Sequence, residues 1–159
     1  MTQGIKRIMA ALAVSAIAAT AIAETVKPVK EGTMTAHGTF EVKMVPQPAD
    51  STGGSFARFL LDKKFQGDLE AVSKGHMLAS GGPPSSSGGY VALEEVTGTL
   101  HGKRGSFVLL HRGIMTSGSS RLDVTVVPDS GTGELTGIAG TMTLIVEGSK
   151  HSYEFSYVL

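Results

Sequence analysis

The sequence predicts an all-β protein: a small closed antiparallel β-barrel of about eight strands, preceded by a signal peptide. Three observations carry that expectation. Residues 1–23 have the layout of an export signal. The remainder is written in short apolar-alternating runs punctuated by Gly, Pro and Ser. Hairpin registers drawn separately for three turns each gather the apolar side chains of both strands on one face.

The signal reading rests on order. Lys6 and Arg7 precede an apolar run from Ile8 to Thr20, then the small-x-small triplet Ala21-Ile22-Ala23, then polar Glu24. The rival is an uncleaved anchor, but a run of roughly 15 residues falls short of the about 20 that a spanning helix needs. Cleavage after Ala23 is therefore expected. It leaves a polar leader over 24–32, one barrel domain over 33–159, no stable membrane anchor, and a periplasmic or secreted destination.

Composition excludes several function classes. The 159 residues carry 14 basic and 14 acidic side chains, a formal net charge of zero, which offers no field for nucleic acid or anionic lipid. Cysteine is absent, so disulfides, thiol nucleophiles and a lipid-modified cysteine are excluded. Tryptophan is absent and aromatics are few, which does not suggest a sugar-stacking surface. His37, His76, His101, His111 and His151 lack metal-ligand spacing, so neither a metal nor a cofactor is expected. The glycine-rich stretch 131–137 fits neither dinucleotide nor P-loop spacing and reads as a tight turn or bulge.

Strands are expected over Thr33–Val45, Phe56–Phe65, Asp68–Ala79, Tyr90–His101, Arg104–Met115, Ser119–Pro128, a short piece near Glu134–Ile138, Thr141–Glu147 and Lys150–Leu159. Gln47–Ser55 and Ser80–Gly89 are expected as loops. A two-residue turn at Gly102-Lys103 sets Val96 opposite Leu109 and Glu94 opposite His111. One at Ser117-Gly118 sets His111 opposite Val124, and one at Gly148-Ser149 sets Met142 opposite Phe155. The opposite faces are largely polar, as in Glu95, Thr97, Thr99 and Ser152, Glu154, Ser156.

Glu94 is the unusual residue. Its strand neighbours on the same face are Tyr90, Ala92, Val96, Gly98 and Leu100, so the pattern drives a carboxylate inward. A lone buried carboxylate is costly, and His111 is the partner the register supplies. Burial and mutual coupling can pull both groups toward neutrality, which would make Glu94 and His111 a catalytic acid/base couple. The same pair can orient a polar group on an apolar ligand, or simply satisfy itself and fix register. Tyr90, Phe107, Tyr153, Phe155 and Tyr157 share the inward faces and are the candidate ligand-binding residues, with core packing as their other role. The C-terminal alternation Tyr153-x-Phe155-x-Tyr157-x-Leu159 also fits the end of an outer-membrane barrel, a reading that would put Glu94 in hydrocarbon.

Several stretches resemble a bacterial family of unknown function, the domain-of-unknown-function family numbered thirty-two twenty-four. They are Ala36–Val42, Phe65–Glu70, Tyr90–Glu94 with Val96–Leu100, Gly105–Leu109 to His111, and Val126–Pro128 with Gly131–Gly137. That family looks like a relative in fold of the allene oxide cyclase and dirigent barrels. The resemblance implies an allene-oxide-cyclase-like, eight-stranded barrel and transfers no catalytic residue.

Three functions follow as expectations: a barrel binding a small apolar or amphipathic molecule, an isomerase or cyclase using Glu94 and His111, or a structural protein acting as a homo-oligomer, since the barrels it resembles often assemble. The export reading has a direct check. N-terminal sequencing of the protein recovered from its host should start at Glu24; a start at residue 1 or 2 would refute cleavage.

Overall fold

The computed structural model describes residues 32–48, 56–81, 87–117 and 119–159. The expected signal segment 1–23 and positions 24–31 of the expected leader lie outside the described residues, as do 49–55 and 82–86 of the expected loops. Eight strands follow in chain order: β1 (Met34–Pro46), β2 (Ala57–Gly67), β3 (Leu69–Gly81), β4 (Gly88–Leu100), β5 (Lys103–Thr116), β6 (Ser119–Val126), β7 (Ala139–Glu147) and β8 (Lys150–Val158). Each pairs antiparallel with its neighbours, and β8 returns to β1 to close the barrel. The β6–β7 seam is the weak one, bridged at Thr125 and Thr141 alone among the described residues.

Inside and outside alternate along every strand, because successive side chains leave a pleated backbone on opposite faces. Ala36 and Phe40 point in from β1, Leu61, Lys63 and Phe65 from β2, Ala92, Glu94 and Val96 from β4, and Tyr153, Phe155 and Tyr157 from β8; all are buried. The aromatic C-terminus therefore faces the barrel interior, while Glu154 points outward and is exposed. That orientation is the reverse of a lipid-facing barrel.

Two of the three turn assignments hold. Beyond β5, His111 pairs with Val124 and Leu109 with Val126; beyond β7, Met142 pairs with Phe155 and Val146 with His151. The β4–β5 turn is corrected. It sits at His101-Gly102, not Gly102-Lys103, because a two-residue turn of this hand needs positive φ at both positions, and His101 (45°) and Gly102 (81°) supply it. The pairing moves by two residues: Glu94 lies opposite Leu109, and His111 opposite Ala92. A shift of two preserves the face, so Glu94 and His111 both still point inward, as diagonal neighbours.

Two further expectations change. The piece near Glu134–Ile138 is not a strand: Gly133–Leu135 forms a 3₁₀ turn. The β6–β7 connection crosses over the start of β5, where Thr132 binds Ser106 through side chain and backbone and the Glu134 carboxylate accepts from Arg104 N–H at 2.8 Å. It drives Leu135 and Ile138 into the barrel end as a plug. The β3–β4 loop is also shorter than expected, since Ser80, Gly81, Gly88 and Gly89 belong to the ladder.

The plugged end is tightly packed. Phe107 stacks on Phe155 at 5.6 Å, Phe155 on Tyr157 at 5.2 Å, and Phe65 meets Tyr153 edge-on at 5.7 Å. The Tyr153 hydroxyl accepts a 2.9 Å bond from Leu69 N–H, and the Tyr157 hydroxyl lies 2.7 Å from His101 Nδ1. Tyr153 lies across Gly38, where an added Cβ would come within 1.9 Å of the Gln66 carbonyl and 2.5 Å of the tyrosine oxygen. Gly38→Ala should therefore lower stability by about 1–3 kcal/mol through overpacking, read by urea unfolding. An unchanged midpoint would mean that Tyr153 does not lie there.

Candidate functional site

The interior changes character halfway along. Inward-facing residues at the plugged end are buried to a few per cent. Toward the end from which the β1–β2 and β3–β4 connections leave, they open progressively. Phe59, Met77 and Tyr90 are half-buried, and Met44, Met115, Leu122 and Val146 are exposed although they sit on inward positions. An apolar mouth thus stands above a closed, aromatic floor.

At the boundary lies a polar cluster. The ladder sets Lys63 beside Ser73 on β2 and β3, and carries Gly75 beside Glu94 on β3 and β4. Glu94 has no solvent exposure, and Ser73, His111 and Lys63 retain only 1%, 2% and 5%. Lys63 Nζ donates to Glu94 Oε2 at 2.6 Å, and the Ser73 hydroxyl donates to Oε1. His111 Nε2 stands 2.8 Å from Oε2. That nitrogen is nevertheless the buried side-chain atom without a hydrogen-bond partner among the described residues, because the oxygen lies off the line of the ring N–H. A bare lone pair would be repelled by a carboxylate oxygen at this distance, so Nε2 carries the proton. Lys63 Nζ also lies 5.4 Å from the Phe40 ring centre and 5.8 Å from that of Phe65, which gives the buried ammonium two π faces.

The electrostatics follow from these contacts. Burial opposes ionisation of Glu94, but the His111 ring, the Lys63 charge and hydrogen bond, and the Ser73 hydroxyl together outweigh it and hold the carboxyl at about 2. The direction is away from neutrality: Lys63 and Ser73, which the alternation did not single out, join His111 in favouring the ionised carboxylate. Burial and the nearby Glu94 charge raise the Tyr90 phenol.

Of the residues singled out from sequence, Glu94 and His111 come into contact, and Tyr90 stands above them in the mouth, packed flat against Gly113. Phe107, Tyr153, Phe155 and Tyr157 lie in the packed half, with both tyrosine hydroxyls engaged. Lys63 and Ser73 were missed. A signal existed for Lys63: it alternates with Leu61 and Phe65, so it shares their inward face. Phe59 and Met77, which line the mouth beside Tyr90, carry no mark beyond alternation.

A family model described as a protein of unknown function, DUF3224, matches residues 36–157. Among solved structures, the chain is similar to a Shewanella oneidensis MR-1 protein described as having unknown function and coming from the same family. The two are 49% identical with a TM-score of 0.74, over 80% of this chain and 97% of that one. No curated protein matches.

The cluster makes a pH prediction. Glu94 titrates at about 2 when folded against an ordinary value of 4.5, so its contribution is complete above roughly pH 5 and is lost as pH falls toward 2. Unfolding stability should fall by on the order of 3 kcal/mol across that window, and Glu94→Gln should flatten this limb while costing stability at pH 7. Identical acid limbs in both proteins would exclude Glu94 as the source.

Proposed function

The chain belongs to the DUF3224 family, and from its geometry we propose that the barrel binds a small apolar or amphipathic molecule in the mouth, with the molecule's polar end at His111. The observation that carries this reading is the burial gradient itself. Phe59, Met77 and Tyr90 stay partly open to solvent directly above a buried polar cluster whose ring nitrogen Nε2 faces Glu94 Oε2 at 2.8 Å without an aligned hydrogen bond. Apolar walls with a few convergent polar groups are the usual make-up of a small-molecule site.

The cluster also selects the head group. Both Glu94 oxygens already accept bonds, so the spare capacity is for donating, from His111 Nε2. A ligand oxygen that accepts, such as a carbonyl or hydroxyl, fits that vacancy. Lys63 and Glu94 neutralise each other, so no net field favours a free carboxylate, and burying one would cost its hydration. The isomerase or cyclase alternative draws less support: a carboxylate held at about 2 is a weak base near neutral pH. The likeness to allene oxide cyclase barrels gives that alternative a fold analogy only. The signal-like segment 1–23 supports placing the binding event in the periplasm or outside the cell.

Native mass spectrometry of the protein purified from its own host should show a bound small molecule. In vitro, a neutral solvatochromic dye should bind saturably, and Ala79→Trp, which fills an inward position at the mouth, should weaken it about 10-fold or more without loss of fold. No saturable binding, or binding indifferent to Ala79→Trp, would overturn the proposal.

A further inference from the structure

The wall of the barrel is not sealed evenly. Toward the open end, β3 stays paired with β4 as far as Gly81 opposite Gly88, and β5 with β6 as far as Thr116 opposite Ser119. The β7–β8 hairpin is held differently. Within itself it is paired throughout, from Ala139 opposite Val158 to Glu147 opposite Lys150. Its β8 edge, however, pairs with β1 only up to Ser152 opposite Thr39, and its β7 edge meets β6 at Thr141 and Thr125 alone among the described residues. Above those points, residues 143–151 have ladder partners only in each other. The strands on either side are fixed: β1 stays zipped to β2 up to Pro46 opposite Phe59, and β6 to β5 up to Ser119.

Side chains add little to this hold. Among the described residues, no side-chain hydrogen bond or ion pair ties residues 143–150 to another strand. Val146 points inward yet is 63% exposed. Two inward side chains keep the tip in place: Leu144, packed against the edge of the core, and His151, stacked on the Phe40 ring at 5.2 Å and 20°. A two-stranded hairpin standing alone is marginal at best, and segments crossed by few hydrogen bonds open at low free energy. We infer that the tip of this hairpin, residues 143–151, is a flap that swings away from the mouth about Thr141 and Ser152, with the stack of His151 on Phe40 as its latch. Phe40 is also the ring that carries the Lys63 ammonium at 5.4 Å, so the latch lies beside the polar cluster. With the flap in, His151 narrows the approach to Glu94 and His111; with it out, that side of the mouth widens. The motion rests on the pairing alone, and its use as a gate rests on the binding proposal.

The chain has no cysteine, so labels and cross-links go only where they are placed. Spin labels at Glu147→Cys on the flap and Thr97→Cys on β4, across the barrel from the hairpin, read the motion as a distance. A shorter and a longer distance are expected together, the longer population growing about 3-fold or more in His151→Ala. A label at Lys43→Cys, on the zipped part of β1, should give one distance to Thr97→Cys. One narrow distance at Glu147→Cys that His151→Ala leaves unchanged, or two distances at Lys43→Cys as well, would overturn the flap. Glu41→Cys with Lys150→Cys, two residues beyond Thr39 and Ser152 in the same register, locks it by a disulfide that the adjacent ring stack keeps within reach. Oxidation should slow both entry and release of the dye about 10-fold, and reduction should restore them. Rates indifferent to the lock would overturn the gate. Absence of any dye binding would sink the binding proposal and the gate with it, while the label distances still decide the flap.

Discussion

A charge with no access to water must be compensated from within the protein, and the carboxylate of Glu94 imposes that condition on the middle of the barrel. Three strands meet it: β2 supplies Lys63, β3 supplies Ser73 and β5 supplies His111. Removing a partner leaves a buried charge uncompensated, at a cost of about 3–5 kcal/mol. A slip of one residue in β2, β3 or β5 would turn the corresponding partner to the outside. The polar cluster also resists a slip of two residues, which keeps apolar side chains on the inner face but would separate Glu94 from its partners.

The cluster also divides the barrel into unlike halves. Below it, aromatic rings and the Leu135–Ile138 plug fill the lumen, and the tyrosine hydroxyls that could have faced a ligand are tied to Leu69 and His101. An eight-stranded barrel is just wide enough either to fill itself or to hold one small molecule. This one does the first at one end; at the other the inward positions are only partly covered, and Met44, Met77 and Met115 give them soft, adaptable surface.

Much of this was legible in the sequence, for identifiable reasons. Alternation with period two fixed which residues point inward, and it placed Glu94, His111 and the C-terminal aromatics correctly whatever the turn details. The β4–β5 turn was misplaced by one residue because a glycine was put first in the turn, whereas the chain spends its glycine second and lets His101 adopt a positive φ. Parity absorbed the error. Lys63 escaped for a different reason: lysine is seldom buried, and its partner lies two strands away, so only the combined β2–β3 and β3–β4 registers bring Nζ to Glu94. The adjacent run Phe59-Leu60-Leu61 also hides which face of β2 is the inner one. The 3₁₀ plug was unreadable from pattern, since Leu135 and Ile138 fit a short strand as well as a turn.

Among the described residues, the open end of the barrel and the β2–β5 face differ in physical character. The mouth is lined by inward positions of several strands and stands above the buried Glu94 cluster. The β2–β5 face is convex and built from outward positions. Its leucines are interspersed with His76, and charges beside them pair within the chain, Lys74 with Asp62 and Arg112 with Asp123. Because the side chain alternates direction at every residue, the same strands present mostly different residues to the two sides: Leu93 faces out between Ala92 and Glu94, which face in. The barrel wall can therefore be altered on one side with little consequence for the other, apart from changes that disturb the ladder common to both.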